Sequence, residues 1–182
     1  MQVPVNADRD ARMAEIAAHL GAGKLAKAQQ CLDVALQAEP DDVPLLMLRA
    51  VAQVKQKLWE GAQTDFSRAR ALDPADPETW LGEGVCLAMR SEIPPALELL
   101  ERMLELFPEF VRGRIQTARV YYKLVVLPKA KAHLDAALAS DPNQAERKEI
   151  EELLKEQAGL DEKRYHRPDF ESLRRAKAAQ AP

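Results

Sequence analysis

Apolar residues along this chain return every three or four positions, the spacing that lines one face of a helix, and the helices themselves return at a fixed interval. Paired amphipathic stretches of about 13 residues follow one another, long enough for three to four helical turns each. No run alternates apolar and polar residues as a half-buried strand does. Pro40, Pro74, Pro108 and Pro142 recur with a single 34-residue step. Ala28, Ala62, Ala96 and Ala130 keep the same step, as do Leu32, Phe66, Leu100 and Leu134, and Ala35, Ala69, Met103 and Ala137. A fixed period of this size predicts stacked copies of one helix pair and an all-α chain.

The ends of the helices are marked. Asp42 and Asp76 are placed to accept backbone N–H bonds at the start of the first helix of their units. Pro77, Pro94 and Pro128 fall in first turns, where a missing N–H is tolerated. Gly21 and Gly23 fall at the turn inside the first unit. Small residues allow close axes: Ala50, Gly84 and Ala118 on first helices, Ala62, Ala96 and Ala130 on second ones. Residues 145–158 are expected to cap the stack. Asn143 with Glu146 forms a capping-box pattern, and Ile150, Leu153, Leu154 and Ala158 make one apolar stripe beside Glu149, Glu151, Glu152, Lys155 and Glu156. Residues 1–8 are expected to be disordered. Residues 159–182 are a charged tail: either frayed, or carrying a short helix from Asp169 whose Phe170, Leu173 and Ala176 share a side that docks on the stack or on a partner.

The 34-residue pattern resembles the tetratricopeptide repeat, whose signature runs W-x2-L-G-x2-Y…A-x3-F…P. The third unit matches best, with Trp80, Gly84, Leu87, Ala96, Leu100 and Pro108. The second has Leu46, Ala50, Ala62, Phe66, Ala69 and Pro74. The fourth has Ala118, Tyr121, Ala130, Leu134 and Pro142, with Arg114 where the family favours Trp; the first has Arg12 at that place. The resemblance covers about residues 9–144, divided as 9–42, 43–76, 77–110 and 111–144. It implies a right-handed superhelix, with first helices on the concave side and second helices on the convex side.

On that reading, three ladders of first-helix residues face the concave groove. They are Met13, Met47, Leu81 and Ile115; Ala17, Val51, Val85 and Arg119; Leu20, Val54, Ala88 and Tyr122. All but Arg119 are apolar or aromatic, with Leu48 and Met89 alongside. Arg112, Gln116, Arg119 and Lys123 give the fourth unit a basic face, a place for the acidic end of a partner. The family's carboxylate clamp, built from Lys and Asn, has no counterpart: its positions hold Met13, Ala17, Leu48, Glu78 and Gly82. The expected ligand is therefore an apolar or amphipathic peptide or helix. The competing reading is that part of each ladder is plain core between units.

Composition narrows the function further. The chain of 182 residues is 47% apolar and 30% charged, with 5% aromatics, so its core must rest on Leu, Ala, Val and Met. A net charge of −3 gives no basic footprint for nucleic acid. The N-terminus lacks the pattern of a secretory signal, and no stretch is apolar enough to span a bilayer. A cytoplasmic location is expected. Cys31 and Cys86 sit in apolar helical patterns and read as buried free thiols. His19, His133 and His166 have no second His or Cys at helical spacing, and no nucleophile elbow, phosphate loop or HExxH is present. Neither a metal, a cofactor nor an enzyme is expected. The leading expectation is a protein-binding scaffold or adaptor. The alternatives are a chaperone for a hydrophobic client, since WLGEGVCLAM is broadly similar to the small type III secretion chaperones, and a scaffold that self-assembles into homo-oligomers.

Overall fold

The computed structural model describes residues 5–165, with side chains over 9–159. The described residues contain nine helices and no strand. They are α1 (Val5–Gly21), α2 (Leu25–Ala38), α3 (Val43–Lys55), α4 (Trp59–Leu72), α5 (Pro77–Met89), α6 (Ile93–Leu106), α7 (Val111–Lys123), α8 (Leu127–Ala139) and α9 (Gln144–Tyr165). From α3 onward the first helices begin at residues 43, 77 and 111, and the second helices begin at 25, 59, 93 and 127. Consecutive helices pack on one another down the chain, giving an α-solenoid of antiparallel pairs closed by α9.

The sequence signals for helix starts act as expected. Asp42 accepts from the Leu45 N–H at 2.9 Å, and Asp76 from the Glu78 N–H at 2.9 Å. Asn143 and Glu146 form a reciprocal capping box, each side chain accepting the other's N–H at 3.0 Å. The turns within the pairs share one conformation. Gly23, Lys57, Ser91 and Val125 hold the same place in successive repeats and have φ of 69°, 61°, 66° and 60°. At each turn the following N–H returns to a carbonyl earlier in the first helix, as from Leu58 to Gln53 at 2.9 Å and from Val126 to Tyr121 at 3.0 Å. This is a Schellman closure, which satisfies late carbonyls of one helix as the next begins. Only the first copy carries the glycine that the conformation favours.

The core is a column built largely of Leu and Ala. Ala50, Ala62, Ala96 and Ala130 are 0% exposed. A Cβ on Gly84 would come within 2.7 Å of the Leu100 side chain, so α5 and α6 approach there only because none is present. The position that the repeat signature gives to Trp shows how a departure is absorbed. In α5 the Trp80 Nε1–H donates to the Pro74 carbonyl at 3.0 Å; one period later Arg114 Nε donates to the Pro108 carbonyl at 2.8 Å. The guanidinium thus takes over the indole's hydrogen bond.

The ends of the stack differ from the expectation. The closing helix runs to Tyr165, beyond residue 158. Its buried face is Ile150, Leu153, Leu154 and Gln157, whereas Ala158 is exposed. Inside, the Gln157 Nε2 donates to the Leu127 carbonyl at 2.9 Å, which ties α9 to α8. At the other end, helix begins at Val5, inside the segment expected to be disordered. The expectations for Asp169, Phe170, Leu173 and Ala176 lie outside the described residues.

Candidate partner-binding groove

A cavity of about 330 Å³ opens between α3, α5 and α7. Its walls include Met47, Val51 and Val54 from α3, Leu81 and Val85 from α5, and Arg112 and Gln116 from α7. All seven belong to the ladders and the basic cluster read from the sequence. Phe66, missed as a groove residue, reaches the cavity from the second helix α4. It does so past Gly82, where a Cβ would overlap the Phe66 ring. A glycine inside an otherwise apolar helix was the available signal; what it admits became visible only with α4 packed behind α5.

The residues read for the groove differ in exposure. Ile115 is a correction: it is 1% exposed and packs with Ile150 of α9 in the core, so it offers a ligand nothing. Ala88 is likewise buried. Leu81 is 5% exposed and serves as floor. Met13, Leu20 and Leu48 are half-buried against the first core cluster, and Tyr122 against the last. Ala17, Met89, Arg119 and Lys123 are exposed. Exposure of the ladders therefore differs from unit to unit. The middle of the stack keeps an open apolar groove, with Val51 39% exposed, while the end units turn much of theirs inward.

The basic face of α7 is already engaged. Arg112 is ion-paired with Glu78 on the groove rim, and Arg119 with Glu149 of α9 at 2.8 Å. Burial raises the Glu78 carboxyl above its ordinary pKa, against the pull of Arg112. Lys123 Nζ reaches the Met89 sulfur at 3.8 Å. Below the groove, Arg49 of α3 ties three helices together. It donates twice to Asp65 of α4, at 2.6 and 2.8 Å, and once to Asp33 of α2 at 2.9 Å. The groove wall is thereby anchored to both neighbouring second helices, which keeps it preformed.

Two thiols and one histidine bear on chemistry. Burial pushes the Cys86 thiol up to about 12, so it stays protonated and inert. Cys31 is partly exposed, not buried as expected. His19, which has no second His or Cys at helical spacing, lies with Glu15 and Cys31 so that one ligating atom of each is within 4.8 Å of the others.

The chain belongs to the tetratricopeptide-repeat family: the family model matches residues 13–77 and again 50–109, more than half of the sequence. Solved structures of MamA are similar in fold. One aligns at 19% identity with a TM-score of 0.66, covering 85% of this chain and 84% of that one. MamA from Desulfovibrio magneticus RS-1 aligns at 16% identity and 0.65, covering 71% and 73%. The second TPR domain of human RPAP3, solved with the HSP70 peptide SGPTIEEVD, aligns at 20% identity and 0.56, covering 60% and 91%. The fold is that of a protein–protein interaction scaffold. No helix among the described residues is long and apolar enough to cross a membrane.

Proposed function

We propose that this chain is a non-catalytic, cytoplasmic adaptor that holds an apolar or amphipathic segment of a partner protein in the groove between α3, α5 and α7. The observation that carries the reading is the cavity itself. It is walled by Met47, Val51, Val54, Leu81 and Val85, with the charged pair Glu78 and Arg112 at its rim. Its volume lies at the low end of ligand pockets, about 300–1,000 Å³, so it suits one or two anchoring side chains of a longer segment. Burying those anchors stabilises the complex by about 25 cal/mol per Å² before ordering costs are subtracted. The wall held by Arg49 lowers those costs on the scaffold side.

The RPAP3 domain's peptide ends in acidic residues. The positions of the family's Lys/Asn clamp for such an end hold Met13, Ala17, Leu48, Glu78 and Gly82 here, so an acidic end would instead compete with Glu78 for Arg112 or with Glu149 for Arg119. Both are largely exposed pairs, worth about 0–1 kcal/mol, so the exchange is readily reversible. Direction along the groove would follow, with the apolar anchors over α3 and α5 and the acidic end toward α7.

The test is an affinity capture from the native host, comparing the wild type with the Val51→Asp/Val85→Asp variant, after circular dichroism shows equal helicity. A protein retained by the wild type and lost by the variant supports the groove. Partners retained equally by both would move binding to another face and refute the reading.

A further inference from the structure

The first helix pair places three potential metal ligands of different chemistry together. Glu15 and His19 are one helical turn apart on α1 and share one face, with His19 Nε2 3.7 Å from Glu15 Oε1. Cys31 comes from α2, brought alongside by the Schellman turn at Gly23, whose closing bond runs from the Lys24 N–H to the His19 carbonyl at 2.9 Å. One oxygen of Glu15, one ring nitrogen of His19 and the Cys31 sulfur all lie within 4.8 Å of one another. Among the described residues no other group of three such side chains is brought this close.

We propose that Glu15, His19 and Cys31 bind a divalent cation of the zinc class, clipping α1 to α2. Metal–ligand bonds of about 2.0–2.3 Å in tetrahedral geometry set ligand atoms about 3.3–3.6 Å apart. The Glu15–His19 distance is already close to that range. The other separations, up to 4.8 Å, close by side-chain rotation at Glu15, which is 62% exposed, and at the partly exposed Cys31. Carboxylate, imidazole and thiolate together suit zinc and its neighbours rather than magnesium or calcium, which prefer all-oxygen sites. With the thiol proton released on binding, Glu15 and Cys31 carry two negative charges that neutralise the cation. Three protein ligands leave a fourth position for water. The consequence is local: among the described residues α1 packs chiefly on α2, so a metal bond between them secures the first helix pair. The proposal is independent of the groove.

Cobalt(II) is the probe, because thiolate ligation gives it a near-ultraviolet charge-transfer band and tetrahedral geometry gives it intense visible bands. The untagged full chain, kept reduced with a non-chelating phosphine, is titrated with Co²⁺. The expected result is a charge-transfer band that saturates at one equivalent and is abolished by added Zn²⁺. Cys31→Ser should remove the band, whereas Cys86→Ser should leave it. Glu15→Gln changes an exposed side chain and is monitored by circular dichroism. It should weaken binding by at least about tenfold, since even outer-shell partners contribute 10–100-fold. Zn²⁺ should raise the melting temperature of the wild type and not of Cys31→Ser. Absence of the band, its survival in Cys31→Ser, or unchanged affinity in a folded Glu15→Gln would overturn the site.

Discussion

Four turns of one backbone shape carry four different residues, and this makes an internally controlled test of the turn energetics. Gly23, Lys57, Ser91 and Val125 all occupy the left-handed region, with φ between 60° and 69°. An L side chain there costs roughly 1–2 kcal/mol. Glycine avoids that cost but loses about 0.5–1 kcal/mol more chain entropy on folding. Ser91→Gly should therefore stabilise by about 0.5–1 kcal/mol, because Ser91 is exposed and gives up little packing. Gly23→Ala should destabilise by a similar amount, about 0.5–1 kcal/mol, for the backbone alone. A Cβ at Gly23 would meet nothing within 4 Å. Val125 is a poorer subject, since it is only 51% exposed and its truncation removes contacts as well. At about 2–4 °C per kcal/mol for a chain of this size, the two variants should shift the melting temperature by about 1–4 °C in opposite directions. Urea unfolding at constant slope gives the free energies directly. Shifts of the same sign, or a Ser91→Gly variant less stable than wild type, would refute the account of these turns.

Two further outcomes follow from the interior. Arg49→Ala should cost about 3 kcal/mol, the low end for a broken buried pair because Arg49 is about a quarter exposed, by stranding the nearly inaccessible Asp65 carboxylate. Chemical denaturation checks it, and Arg49→Met/Asp65→Leu should recover most of the loss; a loss below about 1 kcal/mol would mean the pair is effectively solvated. His133 is stacked on Tyr121 and lies 3.3 Å from Glu101, yet burial lowers its pKa against the pull of that carboxylate, with Arg114 and Lys129 adding to the lowering. Folding then disfavours its protonation. Its contribution is complete above the unfolded value of about 6.5 and is lost as pH falls from there through the lower folded value. Melting temperature measured from about pH 7.5 down to about pH 5 should fall less steeply for His133→Gln than for wild type. An equal or steeper fall contradicts the assignment.

Most of the architecture was legible in the sequence because each repeat solves the same local problem with the same residues. The 34-residue step, the caps at Asp42, Asp76 and Asn143, and the small residues at Ala62, Ala96 and Gly84 act within a helix or between adjacent helices. Their spacing alone therefore reports them. The groove was legible in part. Periodicity gives the phase of a side chain on its own helix, which is why Met47, Val51, Val54, Val85 and Gln116 were found. It does not say what lies opposite. Ile115 occupies the same phase as Met47, but α9 returns over α7 and buries it with Ile150. Phe66 enters the cavity from the other side of the helix pair, through the space that Gly82 leaves.

The sequence by itself determined the all-helical repeat, its period and the apolar face of each first helix, since these follow from spacing along one chain. Tertiary structure decided which part of that face stays open, that Arg114 replaces an indole at the Pro108 carbonyl, and that Gln157 rather than Ala158 turns inward. It also decided that Cys31 comes beside Glu15 and His19. The physical reason is common to all four: each depends on a distance from a side chain to a group on another helix or on a loop, and spacing along one helix does not report that distance.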